Sequence, residues 1–247
     1  MVVMPAYNAE KTLKRTVTDI PGDVVDYMLV VDDHSSDNTV SIAKTLGIEV
    51  IQHPENRGYG ANQKSCYDRA LETDAEIIVM VHPDYQYDAR LIPGFIEFID
   101  LGICDFMLGN RVRTRKETLE CGMPFWKYVS NRTLTIIENM VLGLNLGECH
   151  SGFRIFRREL LEKIPYRKNS DNFVFDTQFL IQAAFFKYKI GDAPIPVRYF
   201  EEASSINFIR SVQYGFQTLG AIAAYLKTRL GFKAPQWLKP QIVSERL

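Results

Sequence analysis

The chain has 247 residues, enough for one large domain or two small ones, and 46% of them are hydrophobic, which is ample for a packed core. Its 29 basic and 30 acidic residues nearly cancel, so no overall charge favours nucleic acid or an anionic membrane, and we expect no nucleic-acid partner. The four cysteines are widely spaced, which argues against a zinc site or a disulfide framework and fits a reducing cytoplasm.

The first residues form an apolar strand and lack the basic segment and long apolar core of a secretion signal. No window reaches about 18 uninterrupted apolar residues, the length that a transmembrane helix needs. We therefore expect a cytoplasmic protein without a membrane-spanning segment.

Short apolar runs alternate with helical segments from residue 2 to about residue 110. This alternation is typical of βαβ units and predicts an α/β fold with a mostly parallel sheet flanked by helices. The predicted strands cover residues 2–4, 27–31, 49–52, 76–81 and 106–108. The predicted helices lie near residues 9–18, 36–46, 60–71 and 89–99.

The polar clusters of this half each follow a strand, so we expect them along one edge of the sheet, where a nucleotide would bind. Tyr7, in a Pro-Ala-Tyr-Asn segment after the first strand, can stack on a base, and Asn8 is placed to cap the next helix. Asp32 and Asp33 follow the second strand. Adjacent carboxylates repel each other unless a donor or cation compensates, so we expect one of them to accept hydrogen bonds from a base or ribose.

The third strand leads into Asn-Arg-Gly-Tyr-Gly-Ala at residues 56–61, which opens a helix. A glycine such as Gly58 lets the backbone approach a phosphate or ribose closely. The segment lacks the third glycine of a dinucleotide fingerprint, and the chain has no Gly-Lys-Ser/Thr phosphate loop. Both absences count against a dehydrogenase or a kinase.

The fourth strand runs into an acidic loop, Met-Val-His-Pro-Asp-Tyr-Gln-Tyr-Asp, at residues 80–88. Pro83 cannot continue a strand ladder, so the strand is expected to end there. Asp84 and Gln86 offer oxygen ligands just beyond the carboxyl end of a buried strand. Taken alone, a turn or a helix cap explains Asp84 at least as well as a metal site.

Four motifs stand in a fixed order: Pro-Ala-Tyr-Asn, Asp-Asp-x-Ser-x-Asp-x-Thr, Asn-x-Gly-x-Gly-Ala, and an Asp motif after the fourth strand. This order resembles the family 2 glycosyltransferases of GT-A fold, especially those that transfer sugars to dolichyl or other polyprenyl phosphates. The resemblance runs from residue 2 to about residue 210. It implies a Rossmann-like catalytic domain over residues 1–200, with a nucleotide-sugar half at 1–110 and an acceptor half at 111–200. A C-terminal helical tail would cover residues 201–247.

The resemblance also implies an activity, namely inverting transfer of a sugar from a UDP- or GDP-sugar donor with Mn²⁺ or Mg²⁺ as cofactor. Position by position, it assigns nucleoside binding to Pro5, Tyr7 and Asp33. Arg111 and Arg132 match its two phosphate-facing arginines. A planar, always charged guanidinium suits a diphosphate or a lipid phosphate.

The metal motif departs from the family pattern. Asp84 matches the last Asp of the family's Asp-x-Asp motif, and Gln86 matches a further metal-facing position. His82 occupies the place of the first Asp, so the site has one carboxylate fewer. An imidazole ligand suits Mn²⁺ better than Mg²⁺. The alternative is that His82 only packs beside the strand end while Asp84 holds the metal.

The acceptor half is described by weaker patterns. A basic, irregular loop is expected over residues 109–124, a helix over 126–144, an acceptor-side segment over 148–154 and a helix over 177–186. Asp176 matches an acidic position in the family's acceptor half and is the candidate general base, although helix capping explains it equally well. His150 is open to the same two interpretations, catalysis or simple hydrogen bonding.

Residues 205–239 carry apolar side chains at helical spacing: Phe208, Val212, Leu219, Ile222 and Leu226. Core packing or homo-oligomer packing is one interpretation of this stripe. The other is an interfacial helix that touches the cytoplasmic face of the membrane, because basic and aromatic residues follow it.

A polyprenyl phosphate is the first choice of acceptor. The alternatives are a saccharide or glycolipid hydroxyl during cell-surface polysaccharide synthesis, a nucleotidyltransferase, and a nucleotide-binding domain without catalysis. A hydroxyl acceptor needs a general base, whereas a lipid phosphate is already ionised and needs positive charge around it.

Overall fold

The computed structural model describes residues 1–198 and 208–240. The strands are β1 (Val2–Ala6), β2 (Met28–Asp32), β3 (Glu49–Gln52), β4 (Ile77–Val81), β5 (Phe106–Asn110), β6 (Phe153–Arg157) and β7 (Ile190–Pro194). The α-helices are α1 (Leu13–Asp19), α2 (Thr39–Thr45), α3 (Tyr59–Leu71), α4 (Ile92–Asp100), α5 (Arg115–Glu120), α6 (Phe125–Leu142), α7 (Arg158–Lys163), α8 (Phe175–Phe185) and α9 (Phe208–Arg229). The predicted domain boundary at residues 200/201, and the predicted tail residues 201–207 and 241–247, lie outside the described residues.

Within the described residues, the strands form one seven-stranded sheet in the order β3-β2-β1-β4-β6-β5-β7. All neighbouring pairs are parallel except those of β6, which runs antiparallel to β4 and β5. The α/β fold with a mostly parallel sheet is thus confirmed, as are the five predicted strands. β6 and β7 are additional, and β6 places part of the predicted acceptor-side segment in the middle of the sheet.

The centre of the sheet opens at its carboxyl edge. β1 is buried along its whole length, yet it pairs with β4 only at Val2 with Val79 and at Val3 with Met80. Pro5 lies beyond these pairs, and β4 ends at Val81, before the predicted terminator Pro83. The loops after β1 and β4 therefore leave the sheet side by side without a ladder between them.

Two hydrophobic cores cover the faces of the sheet. One contains Tyr67 and Phe179, from α3 and α8, and the other contains Leu13 and Phe95, from α1 and α4. The strand β6 contributes to both, because successive side chains of a strand point to opposite faces. Burial on both faces explains why the chain reads as apolar runs rather than as alternating polar and apolar residues.

Two local predictions are wrong. Asn8 does not cap α1, which begins five residues later; its Oδ1 accepts from the backbone N–H of Ser36 at 2.9 Å and joins the first two loops. The segment 109–124 is not irregular throughout, because it contains the helix α5. Thr114 caps this helix by accepting from the N–H of Glu117 at 3.2 Å. The basic side chain of Arg115 is nevertheless exposed, as expected for a solvated segment.

Of the described residues of the apolar stripe, Ile222 joins the core, and the others are at least 40% exposed. In α9, Ile222 is buried against α8, but Val212 is 44% and Leu226 is 42% exposed. The buried face of α9 also carries Thr218 and Tyr225. The side chain of Phe208 lies outside the described residues. Among the described helices, none combines the length and apolar character that crossing a bilayer requires.

A buried polar cluster fixes α9 to the domain. His150 Nε2 lies 3.2 Å from Glu138 Oε2 in α6, and its Nδ1 lies 2.8 Å from Tyr214 Oη in α9. Burial raises the pKa of Glu138 from its ordinary value of 4.5 to about 8 and lowers the pKa of His150 to about 3. At neutral pH both groups are therefore uncharged.

We expect the close approach of α3 to the 170–171 backbone to tolerate no side chain. A Cβ at Gly60 would overlap the carbonyl oxygen of Ser170, and Gly60→Ala should lower the free energy of unfolding by about 1–3 kcal/mol in a urea titration. Gly94→Ala is the matched control, because no atom lies within 4 Å of its Cβ position in α4. The control should be stabilised by about 0.5–1 kcal/mol, and equal effects in the two variants would contradict the packing argument.

We also expect Glu138 to make stability depend on pH. The folded state keeps the Glu138 proton up to about pH 8, whereas the unfolded state releases it near pH 4.5, so stability falls as pH rises between these values. Relative to Glu138→Gln, the wild type should lose on the order of 3 kcal/mol between about pH 5 and about pH 8. Urea unfolding at both pH values measures the difference, and parallel pH profiles would refute it.

Candidate functional site

A cleft of about 790 Å³ opens at the carboxyl edge of β1, β2 and β4, with α6 and α9 on its far side. It brings together almost all of the predicted site residues. The predicted residues that line it are Pro5, Tyr7, Asp33, Gly58, His82, Asp84, Gln86, Arg111 and Asp176. Arg132 is not among the lining residues; its guanidinium donates to the carbonyl oxygen of Gly147.

The two adjacent aspartates after β2 have different positions. Asp32 is buried outside the cleft lining, and its Oδ2 accepts from the N–H of Ser35. Asp33 lines the cleft and accepts from His53 Nδ1 at 2.7 Å and from the backbone N–H groups of Arg57 and Gly58, both at 2.9 Å. These three donors compensate the charge of Asp33, and the two backbone donors fix the glycine loop, residues 56–61, at the cleft. The exposed ring of Tyr7 lines the same cleft.

The acidic loop after β4 presents three ligand types to the cleft. Asp84 is nearly buried, and its Oδ1 accepts from the N–H of Gln86 at 3.0 Å across Tyr85, whose φ of 61° is left-handed. Burial raises the pKa of Asp84 and lowers the pKa of His82. The imidazole of His82 is therefore neutral at pH 7, the form that binds a metal.

The donor set fits a metal ion that shares its coordination with a ligand. The described residues contain no group of three or more His, Cys, Asp or Glu side chains that would hold an ion by themselves. Asp84, Gln86 and His82 offer one carboxylate, one amide oxygen and one imidazole on a single loop. Mg²⁺ and Mn²⁺ are commonly bound by one or two carboxylates together with substrate phosphates, so these residues fit such an ion.

Asp176 belongs to a buried hydrogen-bond network. Its Oδ2 accepts from Tyr59 Oη at 2.7 Å, and its Oδ1 accepts from Gln63 Nε2 at 2.9 Å. Arg154 Nη1 lies 3.2 Å from the same Oδ1. Tyr59 Oη also lies 3.0 Å from His82 Nε2, and burial together with Asp176 raises the pKa of Tyr59 well above its usual range. The neutral hydroxyl of Tyr59 thus joins the acidic loop to the acceptor half.

The sequence pattern does not reveal the role of Tyr59. It lies in the glycine loop that was assigned to nucleotide approach, and its polar partner Asp176 is 117 residues away. Its aromatic neighbours, His82 and Phe173, come from two other loops. The only local signal is a tyrosine between two glycines at the start of a helix.

Three cationic side chains line the acceptor side of the cleft. Arg111 follows β5, and its Nε donates at 2.7 Å to Glu148, which is fully buried and also accepts from Asn131. Lys127 of α6 and Arg210 of α9 line the cleft as well. Burial, with a contribution from Arg111, lowers the pKa of Lys127. Lys127 and Arg210 were not assigned a role from the sequence.

Comparison with known proteins identifies the family of this chain. Residues 1–165 match the family model described as Glycosyl transferase family 2. Dolichyl-phosphate hexose transferase from Haloferax volcanii is 30% identical over 199 residues, which cover 80% of this chain and 82% of that protein. UDP-N-acetylglucosamine--dolichyl-phosphate N-acetylglucosaminyltransferase from Methanococcus voltae is 29% identical over 217 residues, covering 81% and 86%.

Solved structures share the fold. Glucosyl-3-phosphoglycerate synthase from Mycobacterium tuberculosis matches with a TM-score of 0.68 at 20% identity, over 95% of this chain and 80% of that chain. The same enzyme in complex with Mn²⁺, UDP-glucose and phosphoglyceric acid gives a TM-score of 0.67 at 21% identity, with the same coverage. The family model covers well over half of the sequence. The chain therefore belongs to glycosyl transferase family 2 and is a glycosyltransferase.

Proposed function

We propose that this enzyme transfers a sugar, with inversion, from a UDP- or GDP-sugar to the phosphate of a polyprenyl phosphate. Relatives from Haloferax volcanii and Methanococcus voltae are named as dolichyl-phosphate sugar transferases, which supports this acceptor class. The observation that carries the proposal is that no carboxylate among the described residues of the cleft lining is left as a general base, whereas Arg111, Lys127 and Arg210 line the same cleft.

Three carboxylates belong to the described residues that line the cleft, and each has an assignment. Asp33 is held by two backbone N–H groups and His53. Asp176 accepts from Tyr59 and Gln63 and faces Arg154, which weakens it as a base. Asp84 is the carboxylate that fits a metal ion. A hydroxyl acceptor would need a base here, whereas an ionised phosphate would not.

The cations of the cleft suit that phosphate. Arg111 is oriented by the buried carboxylate of Glu148, and Lys127 and Arg210 approach from α6 and α9. In our proposal these three groups bind and orient the acceptor phosphate and strip its water. A guanidinium whose Nε is already fixed loses little freedom when it binds, so its charge is preorganised.

The donor would lie across the opposite wall. The exposed ring of Tyr7 would stack on the base, and the glycine loop held by Asp33 would bring backbone N–H groups close to ribose or phosphate. A divalent metal held by Asp84, with Gln86 and His82, would neutralise the charge of the departing nucleoside diphosphate. The acceptor phosphate would then attack from the α6 and α9 side, opposite the leaving group.

Exposed apolar side chains adjoin the acceptor side of the cleft. Phe125 and Val129 of α6 alternate with the cleft-lining Trp126 and Ser130. On α9, Ile209 is 78% and Phe216 is 72% exposed, next to cleft residues of the same helix. A water-soluble acceptor gives no reason for this placement. In our proposal the apolar face contacts the polyprenyl chain or the membrane surface that carries it.

We expect an assay with labelled nucleotide sugars and polyprenyl phosphate to yield an acid-labile lipid-phosphate sugar. Asp84→Asn should lower its rate by roughly 100- to 1,000-fold, because the leaving group loses its charge compensation. Asp23→Asn, a change at an exposed carboxylate outside the cleft, should be without effect. Label found only in a glycan, release of pyrophosphate from a nucleoside triphosphate, or an unchanged rate in Asp84→Asn would each refute the proposal.

We expect Phe216→Ser to raise the apparent KM for a long-chain polyprenyl phosphate roughly tenfold, because burying a large apolar side chain is worth about 1.5–3 kcal/mol. The apparent KM for a short, water-soluble prenyl phosphate should change little. Leu230→Ser is the control, because Leu230 is equally exposed and lies outside the cleft lining. Steady-state kinetics with both acceptors would contradict the lipid contact if the two KM values rose together.

A further inference from the structure

The ring of His82 is held from one side. Its Nε2 lies 3.0 Å from Tyr59 Oη, and the two rings stack with centroids 5.4 Å apart and an interplanar angle of 7°. Its Cδ2 and Nε2 face Gly152, where a Cβ would overlap the imidazole. The Nδ1–Cε1 edge therefore points away from Gly152. In the described part of the chain, no protein group forms a hydrogen bond with Nδ1.

The single hydrogen of the Tyr59 hydroxyl decides which nitrogen of His82 is protonated. Tyr59 Oη lies 2.7 Å from Asp176 Oδ2, and an ionised carboxylate only accepts hydrogen bonds. Tyr59 must therefore donate its hydrogen to Asp176 and accept one from His82 Nε2–H. Because a neutral imidazole carries one N–H, Nδ1 is left with its lone pair.

The rest of the network keeps Asp176 an acceptor. Gln63 Nε2 donates to its Oδ1 at 2.9 Å, and Arg154 Nη1 lies 3.2 Å from the same oxygen. Tyr67 Oη donates to Gln63 Oε1 at 2.7 Å, which turns the amide NH₂ group toward Asp176. Gln63 donates to this carboxylate, and Arg154 lies beside it while donating to the backbone carbonyl of Asp176. Asp176 therefore accepts the hydrogen of Tyr59, which fixes the direction of the hydrogen-bond chain from His82 through Tyr59.

We infer that Tyr59 and Asp176 are positioning residues that hold His82 in its Nε2–H tautomer and present Nδ1 as a nitrogen ligand for a divalent metal beside Asp84. The inference rests on the proposed function, in which Asp84 holds that metal. Hydrogen bonding of the second ring nitrogen orients a ligating histidine and raises its basicity. Asp176 then acts through Tyr59, in a role distinct from the general base that the sequence suggests.

The inference also concerns the choice of metal. An imidazole nitrogen binds Mn²⁺ and the later first-row transition ions better than Mg²⁺, which prefers oxygen ligands. The replacement of an aspartate by His82 therefore shifts the site toward transition metals. The Tyr59–Asp176 pair makes this shift effective, because a ring free to adopt either tautomer would present its lone pair only part of the time.

The tautomer can be tested without any metal, by NMR of protein carrying isotopically labelled histidine. The His82 signal is identified by its loss in His82→Gln. In the wild type we expect Nε2 protonated and Nδ1 bare, and in Tyr59→Phe, which keeps the stacked ring, a mixture of tautomers. Protonated Nδ1 in the wild type, or an unchanged tautomer in Tyr59→Phe, would overturn the inference.

Asp176→Asn should reverse the direction of the hydrogen bonds and therefore the tautomer of His82. Gln63 and Arg154 keep the amide oxygen on their side, so the new NH₂ group would face Tyr59 and donate to it. Tyr59 would then donate to His82 Nε2, and the Nδ1–H tautomer should predominate. Retention of the wild-type tautomer in this folded variant would contradict the hydrogen-bond direction. Tyr27→Phe, a change at an exposed tyrosine bonded to Asp74, is the control and should match the wild type.

Metal binding gives the second readout. With Mn²⁺ and UDP, pulsed EPR should detect a directly bound histidine nitrogen in the wild type and none in His82→Gln. Tyr59→Phe should weaken Mn²⁺ binding by roughly 10- to 100-fold and change Mg²⁺ binding much less. Absence of the nitrogen signal in the wild type, or equal losses for both ions, would overturn the inference. A failed lipid-phosphate assay would instead count against the proposed function and leave the tautomer result standing.

Discussion

The contact between Arg154 and Asp176 is the interaction on which the site depends. Arg154 lies in β6, in the middle of the sheet, and its side chain is fully buried. Taking a guanidinium out of water costs several kcal/mol, and removing the partner of a buried ion pair costs about 3–5 kcal/mol. Because Asp176 compensates Arg154, α8 must stay close to β6. The same carboxylate accepts from Tyr59 and Gln63 of α3 and so joins α3 to α8 beside the cleft.

The first five strands were predictable because each is a short apolar run next to turn residues. β6 was not, since two of its five residues are arginines, and a buried strand with charged residues contradicts the usual pattern. Local sequence cannot show that Arg154 meets a carboxylate 22 residues further along. β7 contains Gly191, Asp192 and Pro194, which are typical of a turn, and it is only partly buried at the edge of the sheet.

The positions of the donor-side residues followed from one rule, that the loops at the carboxyl ends of parallel strands meet. That rule brings Tyr7, Asp33 and Asp84 to one cleft without any knowledge of their partners. It says nothing about α6 and α9, whose contributions depend on helix packing. Helical spacing identified an apolar stripe on α9 but not which neighbour covers it, and Val212 proved to be exposed. The roles of Tyr59 and Lys127 likewise depend on contacts between distant segments.

The direction of β6 limits how parts of two family members can be combined in one chain. Because β6 is antiparallel, the residues that enter it lie at the same edge of the sheet as the residues that leave β4. There the bare backbone of Gly152 receives the ring of His82. A chimaera that takes residues 1–110 from one relative and the remainder from another therefore joins two halves that must match at this contact. In such a chimaera the size of the residue at position 82 limits what the residue at position 152 can be.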